Sequence, residues 1–380
     1  MGSILEKVSK GFREVPIELE RFLKKKYPAF VTDGNLDKLQ DEVPVFMFHT
    51  VNSATLQSQL EFLKTNGYRT LNLETFMAFI KGEITLTEPS VLLTFDDGEK
   101  SWYDVAYPLL KRYGFNAVGF VVPHYIQEKP SSATSGKTWL SWSELLELEQ
   151  SGVMEIESHS HYHARVFIEP KLLDFYHPEF PDSLGLDVPW IGNNGSYTNK
   201  LQLGTPIYSY APRLEGHSRL IDNPEVREAC ITWVKSQGES EFFQRSTWKK
   251  ELTDYYHTVQ KTLSSGEYES ESQKREQMLS DLIQSKTVLS ERLNKPIQHL
   301  CYPWGIGSNE AITLSQEVGY ITNFWVTLDQ RNSNKPGDSP FYIPRLKDDY
   351  LFRLPGVGRY PLWKIFQAKL QRRAKTVEIY

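Results

Sequence analysis

The chain has 380 residues, with 43 Lys and Arg set against 48 Asp and Glu for a net charge of −5. That length can bury a sizeable core, and the even spread of charge excludes the concentrated basic footprint of a nucleic-acid binder. Two cysteines, Cys230 and Cys301, far apart and in no metal-ligand spacing, argue against a disulfide framework. In chain order, residues 1–40 are charged and helical in flavour, with Lys24, Lys25 and Lys26 a solvated face, and predict an N-terminal helical extension. The start has no sustained apolar run after a basic beginning, and no window approaches the ~20 apolar residues of a membrane span, so the expectation is a cytoplasmic protein.

The run Val43-Pro44-Val45-Phe46-Met47-Phe48-His49 reads as a buried strand ending on a histidine. A helix from Leu56 stops at Asn66-Gly67, and a second apolar strand, Ser90 to Phe95, runs directly into Asp96-Asp97-Gly98. A helix over 102–113 ends at Gly114, a third strand covers 116–123, and a helix over 141–151 leads to Met154-Glu155-Ile156-Glu157-Ser158. This alternation predicts a parallel α/β fold, read here as one elaborated catalytic domain over 41–355. Between about 166 and 248 the pattern dissolves into Pro, Gly, Asn and aromatic residues, with one clear helix near Pro224 to Ser236, as in a large insertion. Helices over 249–263 and 270–293 follow, then strands near 299–302 and 320–326. The last segment, 356–380, is basic and amphipathic around Lys364 to Lys375, which suits a solvated helix or peripheral contact with an anionic membrane.

Asp96 and Asp97 stand at a strand's C-terminal end, where α/β folds place their sites. Successive strand side chains diverge, so one carboxylate can hold a metal while the other acts as a base. Alone, Asp-Asp-Gly is more often an acidic turn. The cluster His159-Ser160-His161-Tyr162-His163 changes that balance, because His159 and His163 are four apart, a spacing that lets two imidazoles share an ion from one helical turn.

These two motifs together resemble those of the polysaccharide deacetylases, carbohydrate esterase family 4, and Cys301-Tyr302-Pro303-Trp304-Gly305 is similar to the family's Tyr-Pro-aromatic-Gly stretch. The resemblance covers roughly 43–165 and 270–355. It implies a distorted (β/α) barrel of seven strands that binds one divalent ion, Zn2+ first and Co2+, Ni2+, Mn2+ or Fe2+ as alternatives, through Asp97, His159 and His163. It further implies Asp96 as general base, an N–H near Tyr302 facing the oxyanion, and Tyr302 and Trp304 beside the sugar. The chain departs from the commoner pattern: Cys301 stands where an Arg is usual, and no histidine follows His299. It is closer to the permuted-motif glucosamine-polymer deacetylases, whose first strand supplies the acid, a position His49 matches. Arg345, in Ile343-Pro344-Arg345-Leu346, is grouped with the substrate residues and could also restore the partner that Asp96 lacks.

The expected activity is metal-dependent removal of N-acetyl groups from an amino-sugar glycan or from a lipid-linked or nucleotide-linked precursor. Two other readings stand beside it. One is a glycoside hydrolase using Asp96 and a second carboxylate, which leaves the histidine pair unexplained. The other is a carbohydrate-binding protein of the same fold with impaired turnover.

Overall fold

The computed structural model describes residues 26–375 apart from 40, 132–137, 182–184, 193–196, 327 and 329–330, with side chains as far as Lys369. Most of the N-terminal extension, including Lys24 and Lys25, and residues 376–380 of the basic C-terminal segment therefore lie outside the described residues. That C-terminal stretch is helical over Leu362–Lys375. Among the described residues no helix is long and apolar enough to cross a membrane.

The strands in chain order are β1 (Val45–Phe48), β2 (Arg69–Thr70), β3 (Ser90–Asp97), β4 (Ala117–Val121), β5 (Met154–Ser158), β6 (Arg165–Phe175), β7 (Pro206–Pro212), β8 (Leu220–Asp222), β9 (Gly266–Tyr268), β10 (His299–Cys301), β11 (Thr322–Trp325), β12 (Ile343–Pro344) and β13 (Leu346–Lys347). The chain divides into two compact units, one of residues 1–161, 284–305 and 315–380 and the other of 162–283 and 306–314.

The first unit is built on a parallel sheet in the order β12-β11-β10-β5-β4-β3-β1-β13, with β2 beside β3. Its two end strands, β12 and β13, are consecutive pieces of one stretch separated only by Arg345. Phe324 and Trp325 of β11 pair with Ile343 and Pro344, while Phe46 and Met47 of β1 pair with Leu346 and Lys347. One short stretch therefore closes the sheet into a nearly complete (β/α) barrel. The path has eight strands rather than the expected seven because this closing stretch counts twice.

All eight residues of β3 and all five of β4 are buried, as a strand covered on both faces requires. The core joins Val45, Leu92, Val118, Phe120, Phe324 and Ile343 of the strands to Phe76, Met77 and Ile80 of the helix Leu73–Ile80. The intervening helices carry local start and stop signals. Asn52 caps Ser53–Thr65, Ser141 and Glu144 form a capping box on Trp142–Gln150, and left-handed Gly114 ends Tyr107–Tyr113. The segment expected as one helix over 102–113 opens instead with a π-helical turn, Trp102–Ala106.

The second unit is folded, not a loose loop. β6 and β7 pair antiparallel with three register shifts, between Phe167 and Glu169, Glu169 and Leu172, and Leu172 and Asp174. β8 and β9 form a second antiparallel pair. The helices Pro224–Ser236 and Trp248–Val259 pack Val226, Cys230, Val234, Leu252 and Tyr256 against Phe167, Phe175 and Tyr208.

Candidate active site

Strand register places the chemistry. Asp97 pairs with Val121 across β3 and β4, Val121 pairs with Ser158 across β4 and β5, and Ser158 pairs with Leu300 of β10. Asp97, His159 and Cys301 thus emerge at the same, C-terminal end of the barrel. The His159 N–H continues the ladder to the Val121 carbonyl at 2.9 Å.

Asp97, His159 and His163 each offer one ligand atom, all within 4.8 Å of one another, and all three residues are buried. His159 Nε2 and Asp97 Oδ1 are 3.5 Å apart. Two donors each about 2.1 Å from one cation in a tetrahedral or wider arrangement stand roughly 3.4–4.2 Å apart, so this pair fits a shared divalent ion. The ring of His159 is oriented by its other nitrogen, Nδ1, 2.9 Å from the Cys301 carbonyl, which leaves Nε2 turned toward Asp97. The two imidazoles do not converge from a helical turn. They converge from an irregular loop in which Ser160 (φ 61°) and His163 (φ 52°) are left-handed, as is Asp97 itself (φ 88°). Non-glycine residues take up such angles when surrounding structure holds them there, and they cluster at functional sites. His161 points into another neighbourhood, its ring 6.1 Å from that of His124.

A second donor group, Asp96, His159 and Cys301, also comes together. It suits a cation less well, because both Asp96 oxygens are already engaged. Arg345 Nη1 and Nη2 donate to Asp96 Oδ1 and Oδ2, each at 2.6 Å, in a buried bidentate fork. Arg345 also donates to Thr94 Oγ1 at 3.0 Å and to the Trp325 carbonyl at 3.4 Å. Burial would push the Asp96 carboxyl up, but Arg345, with His159 and His49 nearby, holds it well below the usual carboxylate range. Arg345 is therefore the partner of Asp96, supplied from the closing stretch of the barrel. At 1% exposure it does not line a substrate surface.

His49 follows β1, with Nε2 3.9 Å from Asp96 Oδ2 and about a quarter of its side chain exposed. Burial lowers its imidazole to about 4 against the pull of Asp96, with Arg345 and His159 adding to the lowering, so it is neutral at pH 7. Cys301 lies with Sγ 3.8 and 3.9 Å from the two Asp96 oxygens, and burial pushes its thiol well above the ordinary range.

Tyr302 is placed differently from the expectation. Its side chain is fully buried, its hydroxyl accepts from Asn323 Nδ2 at 2.6 Å, and its N–H donates to the Phe324 carbonyl at 3.1 Å. Neither its ring nor its own N–H is presented to a sugar or an oxyanion. Trp304 is half-buried and left-handed (φ 61°), in a turn held by the bond from Gly305 N–H to the Tyr302 carbonyl at 2.8 Å. A Cβ at Gly305 would lie 1.9 Å from Val326 Cγ2, so only glycine fits there.

Thr94 was not among the residues singled out from sequence. It has a signal in hindsight: two residues before Asp96 on a strand, it shares that face and therefore meets the same arginine.

A family model for polysaccharide deacetylase matches residues 83–178, a span that contains Asp96, Asp97, His159 and His163. Over 113 residues the chain is 30% identical to the poly-beta-1,6-N-acetyl-D-glucosamine N-deacetylase of Staphylococcus aureus, a match covering 30% of this chain and 38% of that protein. The aligned region thus spans about two fifths of that curated relative. Two solved structures share the fold. One is a de-N-acetylase of Aggregatibacter actinomycetemcomitans, with a TM-score of 0.50, 20% identity and coverage of 80% of this chain and 94% of the other. The second is the BpsB deacetylase domain of Bordetella bronchiseptica, with a TM-score of 0.50, 18% identity and coverage of 81% and 96%.

Proposed function

Because this chain carries a domain of the polysaccharide deacetylase family, we propose that it hydrolyses the N-acetyl groups of an amino-sugar polymer, with β-1,6-linked N-acetylglucosamine as the first polymer to test. The observation that carries the reading is the convergence of Asp97, His159 and His163 beside a carboxylate, Asp96, locked in place by Arg345.

Asp97, His159 and His163 would hold one divalent cation, Zn2+ first. Bound there, it supplies Lewis-acid chemistry to water and to the acetamide carbonyl. The chain's own groups handle the protons. Asp96, ionised at neutral pH, is oriented by Arg345 to accept a proton from the attacking water as the new C–O bond forms. The C–N bond then breaks, and the amine must leave protonated. His49 is the group placed for that step: its Nε2 stands 3.9 Å from the carboxyl that has just gained a proton, and the neutral imidazole takes that proton and passes it to the departing amine, returning Asp96 to its carboxylate. Acetate and a free amine on the sugar are the products. Trp304, the accessible aromatic of the Tyr302–Trp304 pair, is the residue that would stack on the sugar ring.

The deciding experiment strips the protein of metal, reloads it with Zn2+ and measures acetate release from β-1,6-linked N-acetylglucosamine oligomers. Release that returns with metal is expected, with Asp97→Ala and His163→Ala losing both bound metal and activity. Release that survives in a demonstrably metal-free protein would remove the metal from the mechanism.

A further inference from the structure

Strand β1 stops at Phe48, so His49 and the two residues after it belong to an irregular segment. A side chain on such a segment is held to reacting geometry only if its backbone is fixed from elsewhere. Hydrogen bonds from the residues directly after Asp96-Asp97-Gly98 hold this one. The Trp102 indole Nε1–H donates to the His49 carbonyl at 3.3 Å. The Val51 N–H donates to Ser101 Oγ at 3.1 Å. The Ser101 hydroxyl donates in turn to Glu99 Oε2 at 2.5 Å, so its orientation is set by a buried carboxylate.

Trp102 is itself immobilised. It is fully buried, its ring meets Phe95 edge-on at 5.9 Å, and a Cβ on Gly119 would come within 2.7 Å of its Cζ3. It also opens the π-helical turn Trp102–Ala106, a rare widening of the helix that recurs at functional sites.

We propose that Glu99, Ser101 and Trp102 are positioning residues that hold His49 against Asp96, an inference that rests on the reading of His49 as the acid. The stretch Asp96 to Trp102 then supplies the base, a metal ligand and the tether of the acid. Such a tether has a chemical signature. The amine leaving from an acetamide needs a proton, whereas the phenolate leaving from an aryl acetate does not. Displacing the acid therefore slows the amide and spares the ester.

The test uses the full chain loaded with Zn2+, comparing a β-1,6-linked N-acetylglucosamine oligomer with 4-nitrophenyl acetate in Ser101→Ala and Trp102→Phe. Amide kcat is expected to fall about tenfold in each with KM unchanged, aryl acetate turnover to change by less than about twofold, and Ser101→Thr to restore the amide rate. In the metal-free protein, the His49 imidazole NMR signals, identified by their loss in His49→Gln, should broaden or shift in both variants while those of His299 stay put. Equal losses on both substrates, or an unchanged amide rate and His49 spectrum while His49→Gln is inactive, would overturn the tether and leave the acid assignment standing. An active His49→Gln would overturn the acid assignment, and the tether's role would fall with it.

Discussion

Each of the two units contains a buried arginine forked onto a carboxylate, and the forks are nearly the same object. In the barrel, Arg345 holds Asp96 at 2.6 and 2.6 Å. In the second unit, Arg213 holds Glu269 at 2.5 and 2.9 Å. Their neighbours differ. Around Glu269 the remaining bonding capacity goes to backbone: the Arg219 N–H donates to Oε1 at 2.8 Å, and Arg213 donates on to the Lys274 carbonyl at 3.1 Å. Around Asp96 stand His49, His159 and Cys301, each 3.8 to 3.9 Å from an oxygen. Satisfied by backbone, a fork is a clamp that pins a loop to a helix. Surrounded by titratable side chains at the open end of parallel strands, the same fork orients a carboxylate toward groups that can exchange protons with it. Paired buried charge alone does not mark a site; what it faces does.

Breaking the two forks should separate these roles. The largest effect is expected from Asp96→Asn, which keeps the size of the side chain, leaves one arm of the Arg345 fork without an acceptor and removes the carboxylate: kcat for deacetylation should fall by about 10³-fold with metal content, measured by mass spectrometry, unchanged. Full turnover in that variant would take the role of base away from Asp96. Next comes Arg213→Met, which strands Glu269 as a buried charge and should cost about 3–5 kcal/mol in chemical denaturation while sparing kcat per folded molecule. Arg345→Met should show a stability loss of that order and lose kcat as well. If Arg213→Met lowered kcat in fully folded protein to the same degree, the distinction between clamp and site would collapse.

The smallest effect concerns pH. Burial lowers the imidazole of His299 to about 3, and burial with nearby His124 lowers that of His161 to about 4. Both values lie below the roughly 6.5 of an unfolded histidine, so between about pH 6.5 and 4 these two groups bind more protons in the unfolded chain and acidification destabilises the first unit through them, against a partial offset from Glu157, whose carboxyl burial raises to about 7. Asp96 contributes in a lower window, because its depressed carboxyl loses its stabilising charge only below about pH 4. Metal-free protein should lose on the order of 1 kcal/mol per pH unit between pH 6.5 and 5. A slope in denaturant titrations left unchanged by His299→Asn and His161→Asn would mean that these histidines are not held neutral.

How much of this was legible beforehand differs between the units for a physical reason. Strands buried on both faces are continuous apolar runs, so β1, β3 and β4 stand out in the chain, as does the helix after Ser141 with its capping box. In β6 and β7 three register shifts destroy the two-residue alternation that would reveal an antiparallel pair, and the sequence there reads as aperiodic.

The site divides along the same line. Asp96, Asp97, His159 and His163 are visible because neighbours in sequence are neighbours in space, and the residue types carry their own chemistry. Sequence alone also determined that two carboxylates, Asp96 and Asp97, would share one strand end. The irregular loop that makes His159 and His163 converge was not legible, because left-handed angles at Ser160 and His163 are imposed by tertiary packing. Tyr302 was read as a sugar-facing aromatic, whereas Asn323 and Trp325 enclose it. The partner of Asp96 was the hardest to see: Arg345 lies 249 residues away and reaches the carboxylate only because β12 and β13 bring the two edges of the sheet together on either side of it. Which groups the chain carries is written locally, while which charge faces which is decided by closure of the barrel.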